Sequence, residues 1–135
     1  MKKTLSFIAL FLLLSISLLY SQSDIPVVPP YNPQACYQLY PTTNNWTFLK
    51  LDTRTGEIWI VQYSVSEDPA MEYPLSTIDW SFGTNDKPGR FALYPTKNTY
   101  NFIMLDQEKG TTYQVQWSFN KENRFALPII PQPNS

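Results

Sequence analysis

Two aspartates, Asp52 and Asp106, stand 54 residues apart in matching sequence surroundings. A pair of carboxylates is the kit with which glycoside hydrolases work, one acting as acid and the other as nucleophile or base. It is also the one catalytic kit this chain can assemble, because histidine is absent. That absence removes Ser-His-Asp and Cys-His arrangements and the usual zinc ligand sets. Both aspartates, however, open a turn that closes on glycine, Asp52 to Gly56 and Asp106 to Gly110. In such a turn the carboxylate accepts hydrogen bonds from amides two residues on, and glycine supplies a positive φ. The turn accounts for both residues, so a protein without catalytic residues is expected. The glycines at positions 56, 83, 89 and 110 all sit in turn settings and build no phosphate loop. Asp68, Asp79 and Asp86, with Glu67 and Asn85 nearby, lack the alternate spacing of oxygen ligands that marks a calcium loop. Neither a metal nor another cofactor is expected.

The remaining chemistry is that of binding. Phe, Tyr and Trp make up 16% of the chain, and a small β domain needs most of such side chains for its core. Phe48, Trp59, Phe102, Tyr113 and Trp117 are assigned to that core. Trp80 lies next to a polar loop and is freer to meet a sugar ring or a protein partner. Gln62 and Gln116 occupy matched positions on a polar strand face, which either forms cross-strand ladders or hydrogen-bonds a ligand. Arg90 and Arg124 stand where the other half of the chain has Cys36 and Ala70. The candidate contact residues are therefore Trp80, Arg90, Arg124, Gln62 and Gln116.

These side chains must be positioned by a structure that the chain spells twice. Residues 37–75 align with 91–129 without a gap, and 13 of 39 positions are identical. Among the remainder are the swaps of Trp46 for Tyr100 and Tyr63 for Trp117. A period of this size denotes a repeated supersecondary unit. Tyr113, Val115, Trp117 and Phe119 alternate with Thr112, Gln114, Gln116 and Ser118, the period of two of a half-buried strand. The turns at 52–56 and 106–110 join strands into hairpins, with a register expected to set Phe48 opposite Trp59 and Phe102 opposite Tyr113. Trp80-Ser81-Phe82 leading to Arg90-Phe91-Ala92-Leu93 is echoed by Trp117-Ser118-Phe119 leading to Arg124-Phe125-Ala126-Leu127. That echo predicts a strand over Thr77 to Phe82 and about nine strands in all. The fold class is all-β: two tandem meander or hairpin repeats forming a small sandwich or barrel-like domain. Two propeller-like blades are the alternative, and these would need a partner chain, since a free-standing propeller typically has about four blades or more.

The ends bound the compartment. Lys2 and Lys3, an apolar run from Leu5 to Leu19 and small polar residues at 21–23 have the order of a secretory signal peptide over 1–21. The run is short for a membrane span, which takes about 20 residues, so no stable anchor is expected after cleavage. Residues 22–35 read as a proline-rich spacer, 36–130 as the β domain and 131–135 as a tail. The formal charge of −1 and scattered basic residues argue against nucleic acid, whose affinity comes from neutralised phosphates. Cys36, the one cysteine, has no internal disulfide partner and reads as a small buried apolar residue.

Leu-Tyr-Pro-Thr-x-Asn, followed by Phe-x-x-Leu-Asp-x-x-x-Gly and Val-Gln-Trp/Tyr-Ser, covers 39–64 and again 93–118. This string resembles a repeat of small, secreted bacterial β-proteins. The resemblance implies a bacterial exported protein and carries over no catalytic residue. The expectation is thus an exported, non-enzymatic binding or interaction module of the periplasm or cell exterior, with a protein or glycan of the envelope as partner. The alternative is a structural or self-assembling envelope protein, in which further copies of the chain are the partner.

Overall fold

The computed structural model describes residues 32–84 and 87–134. The signal segment 1–21, most of the spacer 22–35 and the loop residues Asn85 and Asp86 fall outside them. Eight strands follow in order: β1 (Tyr37–Pro41), β2 (Thr47–Asp52), β3 (Ile58–Gln62), β4 (Met71–Ser76), β5 (Phe91–Pro95), β6 (Asn101–Asp106), β7 (Thr112–Gln116) and β8 (Phe125–Pro128). A short 3-10 turn, Lys121–Asn123, precedes β8. The strands form two four-stranded antiparallel meanders, β1-β2-β3-β4 and β5-β6-β7-β8, and the sheets do not close into a barrel. Every residue pairing of the second sheet repeats one of the first 54 positions on, from Phe91 opposite Asp106 to Gln116 opposite Phe125.

The hairpin register differs from the expected one by two residues. Phe48 faces Val61 and Phe102 faces Val115, while Trp59 and Tyr113 face Lys50 and Met104. The cause is a longer loop. The Asp52 amide donates to Glu57 O, and the Gly56 amide donates to Asp52 O, so four residues rather than two bridge the strands. Gly56, at φ +81, is the last residue of that loop. A slip of two keeps each side chain on its face.

The strand expected over Thr77 to Phe82 is instead a turn, and eight strands replace the anticipated nine among the described residues. Asp79 Oδ1 accepts both the amide and the hydroxyl of Ser81, and Phe82 takes φ 53. That local hydrogen bonding bends the chain and swings Trp80 inward, where its ring packs 4.7 Å from Tyr113.

The largest departure concerns which face is buried. In the second sheet Phe102, Met104, Tyr113, Val115 and Trp117 point into the core, as expected for the aromatic face. In the first sheet the opposite face does so: Leu49, Leu51, Ile58 and Ile60 are fully buried, while Phe48 and Trp59 are only half-buried on the outside. One face of the first sheet therefore packs on the non-equivalent face of the second, in the manner of successive propeller blades. β2 approaches β5 and β4 approaches β8. The core is the shared layer of Leu49, Leu51, Ile58, Ile60 and Leu75 from one sheet and Phe91, Leu93, Phe102, Met104 and Val115 from the other. Each such side chain contributes about 1.5–3 kcal/mol when fully buried.

Candidate functional site

Identical short-range chemistry shapes the same corner of each repeat. Thr42 Oγ1 donates to Thr47 O, and Asn44 Oδ1 accepts the amide of Trp46. Likewise Thr96 Oγ1 donates to Asn101 O, and Asn98 Oδ1 accepts the amide of Tyr100. This is why the Pro-Thr-x-Asn string recurs: the threonine and asparagine side chains satisfy a tight turn and fix the direction of the aromatic residue that follows. Across the corner, the Tyr63 amide donates to Trp46 O and the Trp117 amide to Tyr100 O. The rings are thereby paired, Trp46 with Tyr63 at 5.3 Å and Tyr100 with Trp117 at 5.1 Å.

Both ring pairs border open clefts, of about 530 Å³ in the first repeat and 360 Å³ in the second; both rings of the first pair are exposed, whereas in the second Tyr100 is the open ring and Trp117 is buried behind it. Trp46, Gln62, Tyr63 and Ser64 line one, and Tyr100, Gln116, Trp117 and Ser118 line the other. These are the same four positions of the repeat. Each cleft combines a tryptophan and a tyrosine in reciprocal places, a glutamine and a serine. Gln62 Oε1 accepts from the Tyr73 hydroxyl at 2.8 Å, and Gln116 Nε2 donates to Asn123 O at 2.9 Å. Each amide is thereby held by its oxygen or its nitrogen, and its orientation is set. The volumes fall within or near the range of small-ligand sites. A flat apolar ring beside an oriented amide can stack on the C–H face of a sugar while hydrogen-bonding its hydroxyls.

The other sequence-derived candidates lie elsewhere. Trp80 is half-buried between the sheets, against Tyr113 and Phe82, with its Nε1–H buried and without a hydrogen-bond partner. Arg90 is buried just before β5 and forms a two-point ion pair with Asp106, Nε to Oδ1 at 3.1 Å and Nη2 to Oδ2 at 2.9 Å. Arg124 donates to Ser118 O and Phe119 O on its own sheet and to Pro74 O on the other, with its guanidinium over the Tyr73 ring. Trp80, Arg90 and Arg124 thus hold sheets and loops together, while Gln62 and Gln116 line the clefts. The aromatic partners of those glutamines were visible as the swapped positions 46/100 and 63/117, but pairing them with the glutamines required the register.

Both carboxylates of the two turns are engaged. Asp52 accepts from Nε and Nη2 of Arg54 and from the Arg54 amide. Burial alone would raise the Asp106 carboxyl, but the Arg90 guanidinium and the amides of Lys109 and Glu108 outweigh it and hold the group below its ordinary value of 3.8. Burial, above all, pushes the Tyr113 hydroxyl up from 10.0. Cys36 is half-buried, and its carbonyl accepts from the amide and hydroxyl of Thr53.

Comparison with protein-family models, with curated proteins and with solved structures returned no match.

Proposed function

We propose that the protein is an exported, non-enzymatic binding module whose two clefts each take a sugar unit of an envelope or extracellular glycan. The observation that carries this reading is the recurrence, at the same repeat positions, of a Trp/Tyr ring pair beside an oriented glutamine. Packing alone does not demand this pattern. Trp46 and Tyr100 are 42% and 52% exposed, large costs in apolar surface that a ligand would offset. Export is supported by the lysine-led apolar run of residues 1–21. The absence of histidine and the commitment of Asp52 and Asp106 to arginines support a role without catalysis.

A glycan array followed by calorimetry tests the proposal. Binding of two sugar units per chain is expected. Trp46→Ala and Tyr100→Ala should each remove one site, since truncating a stacking aromatic costs about tenfold or more in affinity. The double variant should bind nothing. An empty array, or a double variant that binds like the parent, would overturn the reading.

A further inference from the structure

The face-to-back packing of the two sheets leaves both outer faces as counterparts of buried ones. On the first sheet, the outer face presents Tyr37, Leu39, Phe48, Trp59, Val61 and Tyr63. The same repeat positions in the second sheet are Phe91, Leu93, Phe102, Tyr113, Val115 and Trp117, all buried in the core. On the second sheet, the outer face presents Tyr94, Ile103, Leu105 and Leu127, counterparts of Tyr40, Leu49, Leu51 and Tyr73, which pack inward in the first. Tyr37, Leu39 and Tyr63 are 50%, 48% and 41% exposed, and Tyr94 and Leu127 are 48% and 54% exposed. Strands with solvent on one side carry polar residues there. Apart from β7, whose outward residues are Thr112, Gln114 and Gln116, and from Lys50 and Glu72 of the first sheet, these strands carry apolar residues on both sides.

We propose that the chain stacks head to tail on further copies of itself, the outer face of the second sheet in one copy seating on the outer face of the first sheet in the next. The contact would repeat the one already made inside the chain, because Tyr94, Ile103, Leu105 and Leu127 keep the apolar character of Tyr40, Leu49, Leu51 and Tyr73, and the first sheet's outer face keeps that of the second sheet's buried one. Such a contact is heterologous, and it closes into a ring when the rotation between blades allows. Propellers hold about four to eight blades, which corresponds to about two to four copies of a two-blade chain. Three features make the copy-to-copy contact weaker than the internal one. Thr112 and Gln114 stand where the first sheet buries Ile58 and Ile60. The Arg124 clasp has only Ala70 as its counterpart, and Lys50 and Glu72, ion-paired with each other, stand where the second sheet buries Met104 and Ala126. The stack also gives the clefts a common setting. Trp46 and Tyr63 lie along the outer face of the first sheet as Tyr100 and Trp117 lie along the inner face of the second.

Sedimentation velocity over a concentration series tests this with the full exported chain. The parent should form a discrete oligomer. Leu39→Glu blocks one face and Leu127→Glu the other, and both residues are exposed enough that circular dichroism should be unchanged. Each variant alone should be monomeric. Mixed together they should form a one-to-one dimer and nothing larger, because one intact face remains on each. A parent that stays monomeric at its highest soluble concentration would overturn the proposal. So would an oligomer indifferent to both substitutions, two monomeric variants that do not combine, or one variant that stays oligomeric while the other is monomeric, which would indicate a symmetric contact using one face twice.

Discussion

The turns Asp52 to Gly56 and Asp106 to Gly110 are copies with different neighbours. Their backbones agree: each glycine amide donates to its aspartate carbonyl, at 2.9 and 2.7 Å, and each aspartate amide donates 2.9 Å to the residue after the glycine. The first turn is wedged between the sheets. Thr53 O accepts the Phe91 amide, Thr53 Oγ1 accepts the Gly89 amide, and Thr55 O accepts the Trp80 amide. The second turn is exposed from Gln107 to Gly110. Ion pairing follows an inverse pattern. Asp52 takes its arginine from within its own turn, Arg54, which remains 31% exposed, whereas Asp106 takes Arg90 from before β5, with both side chains 1% exposed. At the position of Arg54 the second turn has Glu108, which lies 3.6 Å from Arg90. The copies share what the chain needs to turn and differ where one copy is covered and the other is not.

Removing the carboxylate charge should break the comparison most sharply. Asp106→Asn leaves Arg90 buried without its counter-charge, which typically costs about 3–5 kcal/mol. Asp52→Asn leaves Arg54 able to reach water, so its urea midpoint should stay far closer to the parent's. The pair is not required as such: Arg90→Met together with Asp106→Leu should recover most of the loss, since well-packed apolar replacements of buried ion pairs are often neutral. Equal midpoints for Asp106→Asn and Asp52→Asn would mean that burial does not distinguish the two turns.

The glycines sharpen the comparison at a smaller scale. Gly56 and Gly110 have φ of +81 and +75, so alanine is strained at either. That strain alone costs about 1–2 kcal/mol, which is the expectation for Gly110→Ala, where an added Cβ meets nothing within 4 Å. At Gly56 the same Cβ would lie 3.2 Å from both Phe91 and Trp80 and 3.3 Å from Met104. Gly56→Ala should therefore cost about 1 kcal/mol more than Gly110→Ala, through crowding of a packed interface. Thermal midpoints of the two variants should separate in that order, and coincidence would place the first turn outside the interface.

Much of the architecture was legible in the residues. The repeat, the hairpin turns and the pairing of equivalent strands all followed from Asp-x-x-x-Gly turns and alternating side chains. The inward face of the first sheet was not legible, for a physical reason. Ile58-Trp59-Ile60-Val61 is apolar on both sides, and alternation identifies a core face only when the other face is polar. Here the stacking partner decided, placing isoleucines inside and Trp59 half outside under Lys50, whose Nζ lies 4.9 Å from its ring centroid. The echo of Trp80-Ser81-Phe82 with Trp117-Ser118-Phe119 misled because three residues do not encode their setting. One follows a paired strand, and the other is bent by Asp79. Of the clefts, Gln62 and Gln116 were visible as identities. Trp46 and Tyr63 were legible only as swaps, because each is replaced by the other's residue type in the second copy, and nothing in the residues pairs them across the corner.

The smallest effect is the pH dependence of the buried ion pair. The folded Asp106 carboxyl is held below 3.8 by Arg90 and two amides against the opposing push of burial. A carboxyl depressed on folding adds stability that is complete above its unfolded value and is lost as pH falls through the folded one. The loss should therefore begin near pH 3.8 and continue below it. The variant with Arg90→Met and Asp106→Leu has no such carboxyl to protonate. Its stability relative to the parent should be flat from about pH 5 to pH 7 and should rise as pH drops further. Chemical denaturation at each pH measures the difference. A difference that stays flat into the acid range would mean that Asp106 gains nothing from its charge in the folded state, and that Arg90 is held by packing on Phe91, 5.1 Å from its guanidinium, instead.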